Sequence, residues 1–375
     1  MGRKIYEYIC NPSLVLLFSS IVVFSLPHIE LDDMGTTTRV AAAAALLLSS
    51  TAVAAPMVSN EGSSLTLVYQ NNLNTTDDAN HIGAIVLDPM FPGAGADACA
   101  AIGESLLTQA SIQSHSDDFL HSLAYLSFAG HQGHSQQYYI QNGALSVSDN
   151  ARKLNFARVQ GKNKKLPVLC TQSSTGNTAN TSNATASNQL TVSSAGNKYV
   201  GFRNQKSFRF NGIPYANPAA RFEYSTLYSG TGETIQATQY GSDCIQIYRT
   251  TGAEQCLYLN IQTPYLPKAG SKKDLRPVLF SIHGGGFTGG DGGPNSGQDT
   301  GNLASREDIV GVEINYRLST LGFLAIPGTD IKGNFGIGDQ IVALEWVKKN
   351  IAQFGGDPNR VTIVCESWGC FRKVS

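Results

Sequence analysis

A serine hydroxyl is a useful nucleophile only when it is exposed, close to a base and faced by donors for the oxyanion that forms. The run Cys365-Glu366-Ser367-Trp368-Gly369 directly follows a short apolar stretch, residues 361–364. A sharp strand-to-helix turn, with small residues two before and two after the serine, thrusts such a hydroxyl into the open. Gly369 meets the second of these positions, and Cys365 stands at the first where glycine is usual. Ordinary turns also place serines between small residues, so the pentapeptide needs context. A second cluster, His283-Gly284-Gly285-Gly286-Phe287, follows the apolar run 278–282. Glycines there leave backbone N–H groups bare, because no Cβ obstructs a substrate and positive φ is free. A flexible loop also contains glycines, and 289–301 admits that reading alone. No Gly-Lys-Ser/Thr follows, which argues against a phosphate cradle.

The elements around these residues read as strands and one strong helix. Residues 278–282 and 309–316 are apolar runs of strand length. From 336 to 354 the residues Ile337, Ile341, Leu344, Val347, Ile351 and Phe354 recur at spacings of three and four, which predicts an apolar helical stripe. Gly355 and Gly356 end that helix and Pro358 prevents its resumption. Residues 361–364 show no alternation, as in a strand covered on both faces. Strand, helix and strand in this order predict a parallel sheet with helices packed on it.

Earlier in the chain, 65–69 and 83–87 read as strands and 117–126 as a short helix capped by Ser116. The stretch 171–197 is rich in Ser, Thr, Asn, Ala and Gly, a composition that buries too little surface to order itself. The expected organisation is therefore a leader over 1–54, a small mixed α/β accessory domain over 55–170, a linker over 171–197 and a catalytic-type domain over 198–375.

With 42% hydrophobic and 15% charged residues, 375 residues can bury one large core or two smaller ones. A formal net charge of -1 gives no general attraction to nucleic acid or to anionic membranes. The apolar stretches 14–26 and 40–48 are too short to cross roughly 30 Å of hydrocarbon. The second has the layout of a secretory signal: a start at Met34, Arg39, an apolar run, and Ala52-Val53-Ala54 with cleavage after Ala54. Residues 1–33 are then an alternative leader or an upstream extension. The sequons at Asn74, Asn180 and Asn183 agree with a secreted glycoprotein. Secretion permits disulfides among Cys99, Cys170, Cys244, Cys256, Cys365 and Cys370. No pair has zinc spacing, and His131 and His134 lack a third ligand nearby, so they read as polar surface and no metal or other cofactor is expected.

Residues 198–369 resemble the opening part of type B carboxylesterases, the family that includes cholinesterases and several fungal lipases. The resemblance rests on Phe210-Asn211-Gly212-Ile213-Pro214-Tyr215-Ala216, Glu254-Gln255-Cys256-Leu257-Tyr258-Leu259-Asn260 and the 283–287 block. It continues through Asn315-Tyr316-Arg317-Leu318 with Gly322-Phe323-Leu324, Gly333-Asn334-Phe335-Gly336 with Asp339-Gln340, and 354–362. These blocks come in family order. The accessory region resembles an N-terminal extension of some secreted fungal members. The resemblance implies an α/β-hydrolase sheet, incomplete here, and an ester hydrolase acting on small-molecule or lipid carboxylic esters without a cofactor. It implies that Ser367 is the nucleophile and that the N–H groups of Gly285, Gly286 and Trp368 form the oxyanion hole. Trp368 replaces the family's usual alanine, which leaves the backbone donor intact while its indole narrows the acyl pocket. It also implies a Cys244–Cys256 disulfide; Cys99 with Cys170 follows from parity alone.

In this architecture the triad runs serine, acid, histidine, and residues 368–375 contain no His, Asp or Glu. His283 precedes the oxyanion loop and reads as its brace, and Glu366 reads as structural or electrostatic. The chain is thus expected to be a fragment lacking full activity, with a sheet edge left open after residues 361–364. One alternative is a non-catalytic, cholinesterase-like binding or adhesion protein. A third reading makes the first domain a polysaccharide-binding module lined by Tyr125, Tyr138 and Tyr139, although aromatic residues at this density are more often core.

Overall fold

The computed structural model describes residues 62–159, 164–176, 184–247, 249–297 and 299–367. The leader and signal expected over 1–54, the sequons at Asn180 and Asn183, and Trp368, Gly369 and Cys370 lie outside them. Residues 65–171 supply strands β1 (Leu65–Val68), β2 (Ala84–Met90), β3 (Gln137–Ile140), β4 (Gly143–Val147), β5 (Leu154–Ala157) and β6 (Leu166–Thr171). Helices α1 (Gly95–Ala101), α2 (Gln109–Ser114) and α3 (Ser116–Phe128) lie between β2 and β3. Ser116 is not the cap of α3: it sits inside the helix, where Asp117 and Asp118 complement the N-terminal dipole. Tyr138 is buried at 1% exposure, as a core residue, while Tyr125 is 39% exposed.

The later residues form β7 (Gln189–Ser194), β8 (Asn197–Arg203), β9 (Phe208–Pro214), β10 (Thr234–Gln236), β11 (Tyr258–Thr263), β12 (Tyr265–Leu266), β13 (Arg276–Ile282), β14 (Val310–Ile314) and β15 (Gly356–Cys365). Their helices are α4 (Gly301–Glu307), α5 (Ser319–Phe323) and α6 (Phe335–Asn350). One sheet runs β10-β8-β9-β11-β14-β13-β15, with β7 paired to β8. Strands β14 and β15 flank β13 in parallel, and α6 lies on the crossover between them, as the strand–helix–strand pattern predicts.

The earlier and later parts of the chain share sheets and core. The other sheet runs β12-β1-β2-β6-β3-β4-β5, so its edge strand β12 comes from the later part of the chain. Both sheets belong to one compact unit, and one core cluster takes Leu65 and Ile85 from the first sheet together with Ile261 and Leu266 from the later chain. Buried ion pairs fasten them further: Arg203 with Glu104, and Lys206 with Asp78 at 2.8 Å. The stretch expected to be a linker contains β7, whose Leu190 and Val192 are buried and whose backbone pairs with β8 along its whole length. Average composition hid the period-two alternation of this short run.

The face of α6 also differs from the expected stripe. The helix buries Phe335, Asp339, Ala343, Trp346, Val347 and Asn350, while Ile341 is 53% exposed. The charged Asp339 turns inward because Arg317 and Ser225 satisfy its carboxylate there. Trp346, Tyr199, Phe354 and Phe210 then pack edge-on and tilted at 4.9–6.1 Å between centroids, which seats the helix on the sheet. Among the described residues, strand β15 lies at the sheet edge with Ile363 49% and Val364 44% exposed, so they do not supply the covering of both faces read from the sequence.

Candidate active site

Parallel pairing of β13 with β15 brings the two chemical motifs together. Ile282 is opposite Cys365, and the Glu366 N–H donates to the Ile282 carbonyl at 3.2 Å. One strand therefore ends in the glycine cluster and the next in the serine, side by side. Ser367 is exposed and adopts φ 51°, a left-handed conformation uncommon for a residue with a side chain. A Cβ placed on Gly284 would lie 3.1 Å from Ser367 Cβ and 2.8 Å from the Glu366 carbonyl oxygen. Only a residue without a side chain lets these loops approach so closely.

The glycine loop needs its glycines for a second reason. Gly285 has φ 104° and Gly286 φ 60°, and a Cβ on Gly285 would sit 2.1 Å from the Gly289 carbonyl oxygen. The Gly285 oxygen accepts from the N–H groups of Thr288 and Gly289 at 3.0 and 3.2 Å, closing the loop on itself. Among the described residues nothing accepts from the N–H groups of Gly285 and Gly286. Trp368, the third donor expected from the sequence, lies outside the described residues.

His283 supports this loop from beneath. It is buried and stacks on Tyr316 with centroids 4.5 Å apart and an 18° tilt. Its Nδ1 lies 2.9 Å from the Gly284 carbonyl, so that nitrogen carries the proton, and the Tyr316 hydroxyl donates to the His283 carbonyl at 3.1 Å. Burial pushes its pKa below the ordinary imidazole value, which keeps the ring neutral. On the far side, the Ser319 N–H donates to the Phe287 carbonyl at 2.6 Å, and the rings of Phe287 and Phe323 meet at 4.7 Å.

The Cys244–Cys256 disulfide is present with Cα atoms 4.9 Å apart, and Cys99–Cys170 with 5.5 Å. His131 lies against Asp308, with Nε2 2.6 Å from Oδ2. Sequence reasoning missed Gln246, which bonds both backbone groups of Gly290. It also missed Glu313, buried in β14, whose carboxyl is raised to about 8, chiefly by burial and then by the Asp299 charge. A glutamate inside the otherwise apolar run 309–314 was the available signal for the second.

Residues 193–372 match the sequence model described as Carboxylesterase family. Esterase E4 of Myzus persicae is 40% identical over 179 residues, covering 45% of this chain and 31% of that protein. Bile salt-activated lipase of Homo sapiens is 39% identical over 182 residues, covering 46% of this chain and 24% of that protein. The crystal structure of carboxylesterase EST55 from Geobacillus stearothermophilus at pH 6.2 aligns with a TM-score of 0.44 and 38% identity, over 48% of this chain and 38% of that one. The chain thus spans less than a third of the length of these two curated relatives. The parallel set β14-β13-β15, with α6 on its crossover, is of the α/β-hydrolase kind. Residues 193–372, just under half of this chain, are thus similar to the carboxylesterase family.

Proposed function

We propose that the protein to which this chain belongs hydrolyses carboxylic esters through an acyl-enzyme on Ser367. The observation that carries this reading is the left-handed, exposed Ser367 set against Gly284, beside a loop whose Gly285 and Gly286 N–H groups have no acceptor among the described residues. In the proposed reaction the hydroxyl adds to the ester carbonyl, the alcohol leaves, and water releases the acid. Gly285, Gly286 and Trp368 hold the oxyanion through their amides, worth about 10² to 10³ in rate per donor. The 375 residues alone are proposed to retain little activity.

The substrates are small-molecule or lipid carboxylic esters, without a cofactor. Two disulfides and an exposed sequon at Asn74 support passage through the secretory pathway. Among the described residues no helix is long and apolar enough to cross a membrane. A serine-directed phosphonate tests the reading. Labelling at Ser367 in a form extended to full family length, and not in the 375-residue chain, supports it. Absence of label from both forms supports a non-catalytic binding protein instead.

A further inference from the structure

The described residues of the segment 245–255 form no regular strand or helix, yet they hold the glycine loop at three points. The Gln246 side chain, 7% exposed, faces the backbone of Gly290 with both ends of its amide. The Gly290 N–H donates to Oε1 at 2.9 Å, and Nε2 donates to the Gly290 carbonyl at 3.2 Å. The same Nε2 donates to the Cys244 carbonyl at 3.3 Å, which ties the amide to the disulfide's own backbone. Next to it, the Ile247 N–H donates to the Thr288 carbonyl at 3.3 Å. Further on, Arg249 Nη1 lies 2.6 Å from Asp243 Oδ2 and 2.6 Å from Oδ2 of the buried Asp291. Thr288, Gly290 and Asp291 are therefore all fastened to one short loop.

What that loop fixes is the part of the site with least support of its own. Gly290 has φ 110°, and a Cβ there would fall 2.2 Å from His283 Nδ1, so its backbone lies hard against the imidazole. Within the segment from Gly284 to Gly290 the Thr288 and Gly289 N–H groups donate to the Gly285 carbonyl, while Ser319 and Ile247 hold the Phe287 and Thr288 carbonyls from outside. A glycine segment with so few internal bonds populates many conformations unless its ends are held. The Cys244–Cys256 bond, spanning 12 residues, removes that freedom from the holding segment itself.

We propose that the loop closed by Cys244–Cys256 is the clamp that sets the oxyanion geometry, with Gln246 as its positioning residue. This rests on the esterase reading for its consequence and on the bonds to Gly290, Thr288 and Asp291 for its existence. Gln246 touches no substrate; it acts through Gly290 on the amides of Gly285 and Gly286.

Hydrogen exchange and phosphonate labelling test the two parts separately. Exchange is followed over 284–291 in the wild-type chain, Gln246→Ala, Gln246→Glu and the double variant Cys244→Ala/Cys256→Ala. Gln246→Ala is expected to speed exchange about fivefold or more, the change that loss of one or two hydrogen bonds produces. The acceleration must include Thr288 and Gly289, which Gln246 does not touch, and must spare β2 and β6. Gln246→Glu, which keeps the acceptor for the Gly290 N–H, is expected to restore part of the protection. Unchanged exchange at Thr288 and Gly289 in Gln246→Ala overturns the inference. That variant decides alone if the double cysteine variant does not fold. In the form extended to full family length, Gln246→Ala should lower the limiting labelling rate about tenfold or more, the order of a weakened oxyanion donor, with half-saturation by the phosphonate unchanged. A rise in half-saturation with the limiting rate intact also overturns it. If the wild-type extended form takes no label, the esterase reading fails, and the exchange result still decides the clamp.

Discussion

Arg317 grips Asp339 of α6 with both arms of its guanidinium: Nε donates to Oδ2 and Nη2 to Oδ1, each at 2.8 Å, and the Arg317 N–H adds a bond to Oδ2 at 3.0 Å. Asp339 is fully buried and Arg317 nearly so. The pair joins the segment leaving β14 to the helix that leads to β15, and so holds the serine's strand in register with the glycine loop. Removing one partner strands a buried charge, which costs about 3–5 kcal/mol. Asp339→Ala is expected to lose that much in urea unfolding, and a loss near 1 kcal/mol would show that the pair contributes little.

Glu313 predicts a pH dependence of stability. Thr300 donates to its Oε1 from the N–H at 2.8 Å and from the hydroxyl at 2.6 Å, and the Gln262 amide lies 2.7 Å from Oε2. Burial raises its pKa from 4.5 to about 8. The folded state therefore holds a proton that the unfolded chain releases near pH 4.5. Stability from this group is full below that pH and is lost as pH rises toward 8. Glu313→Gln should flatten this fall, raising the melting temperature relative to wild type at pH 8 more than at pH 5. An equal shift at both values would exclude Glu313 as the source.

Strand β7 provides a test of how the sheet is built. Leu190 is 3% exposed in a stretch whose composition reads as a linker. Leu190→Ala is expected to cost about 2–5 kcal/mol, as in other cores, when followed by chemical denaturation. In a solvated linker the same change stays within about 0.5 kcal/mol.

Gly285 is constrained twice, by φ 104° and by the Gly289 carbonyl 2.1 Å from any Cβ. Gly285→Ala should displace the loop and reduce phosphonate labelling of the extended form by about 10²-fold or more. Circular dichroism should stay near that of wild type, because the loop belongs to neither sheet. Full labelling by the variant would remove Gly285 from the oxyanion hole.

The motifs of the candidate site were visible in the sequence because their signals are consecutive residues. The strand before Ser367, the glycines after His283 and the breakers after α6 each follow from local backbone requirements. The inward face of α6 was not legible: Asp339 reads as a surface residue until Arg317 and Ser225 are known to meet it. Nor was Gln246, one polar residue in an irregular stretch, whose partner Gly290 lies 44 positions away.

The strands β1, β2, β13, β14 and β15 and the helices α3 and α6 were legible in sequence alone, since each expresses which φ, ψ and side-chain period a short run tolerates. Tertiary structure decided which strands share a sheet, so that Tyr265 and Leu266 close the edge of β1. It also decided which buried charges are paired and what holds the glycine loop. Those outcomes depend on hydrogen bonds and ion pairs between distant residues, whose energies exist only after the chain has closed the loops between them.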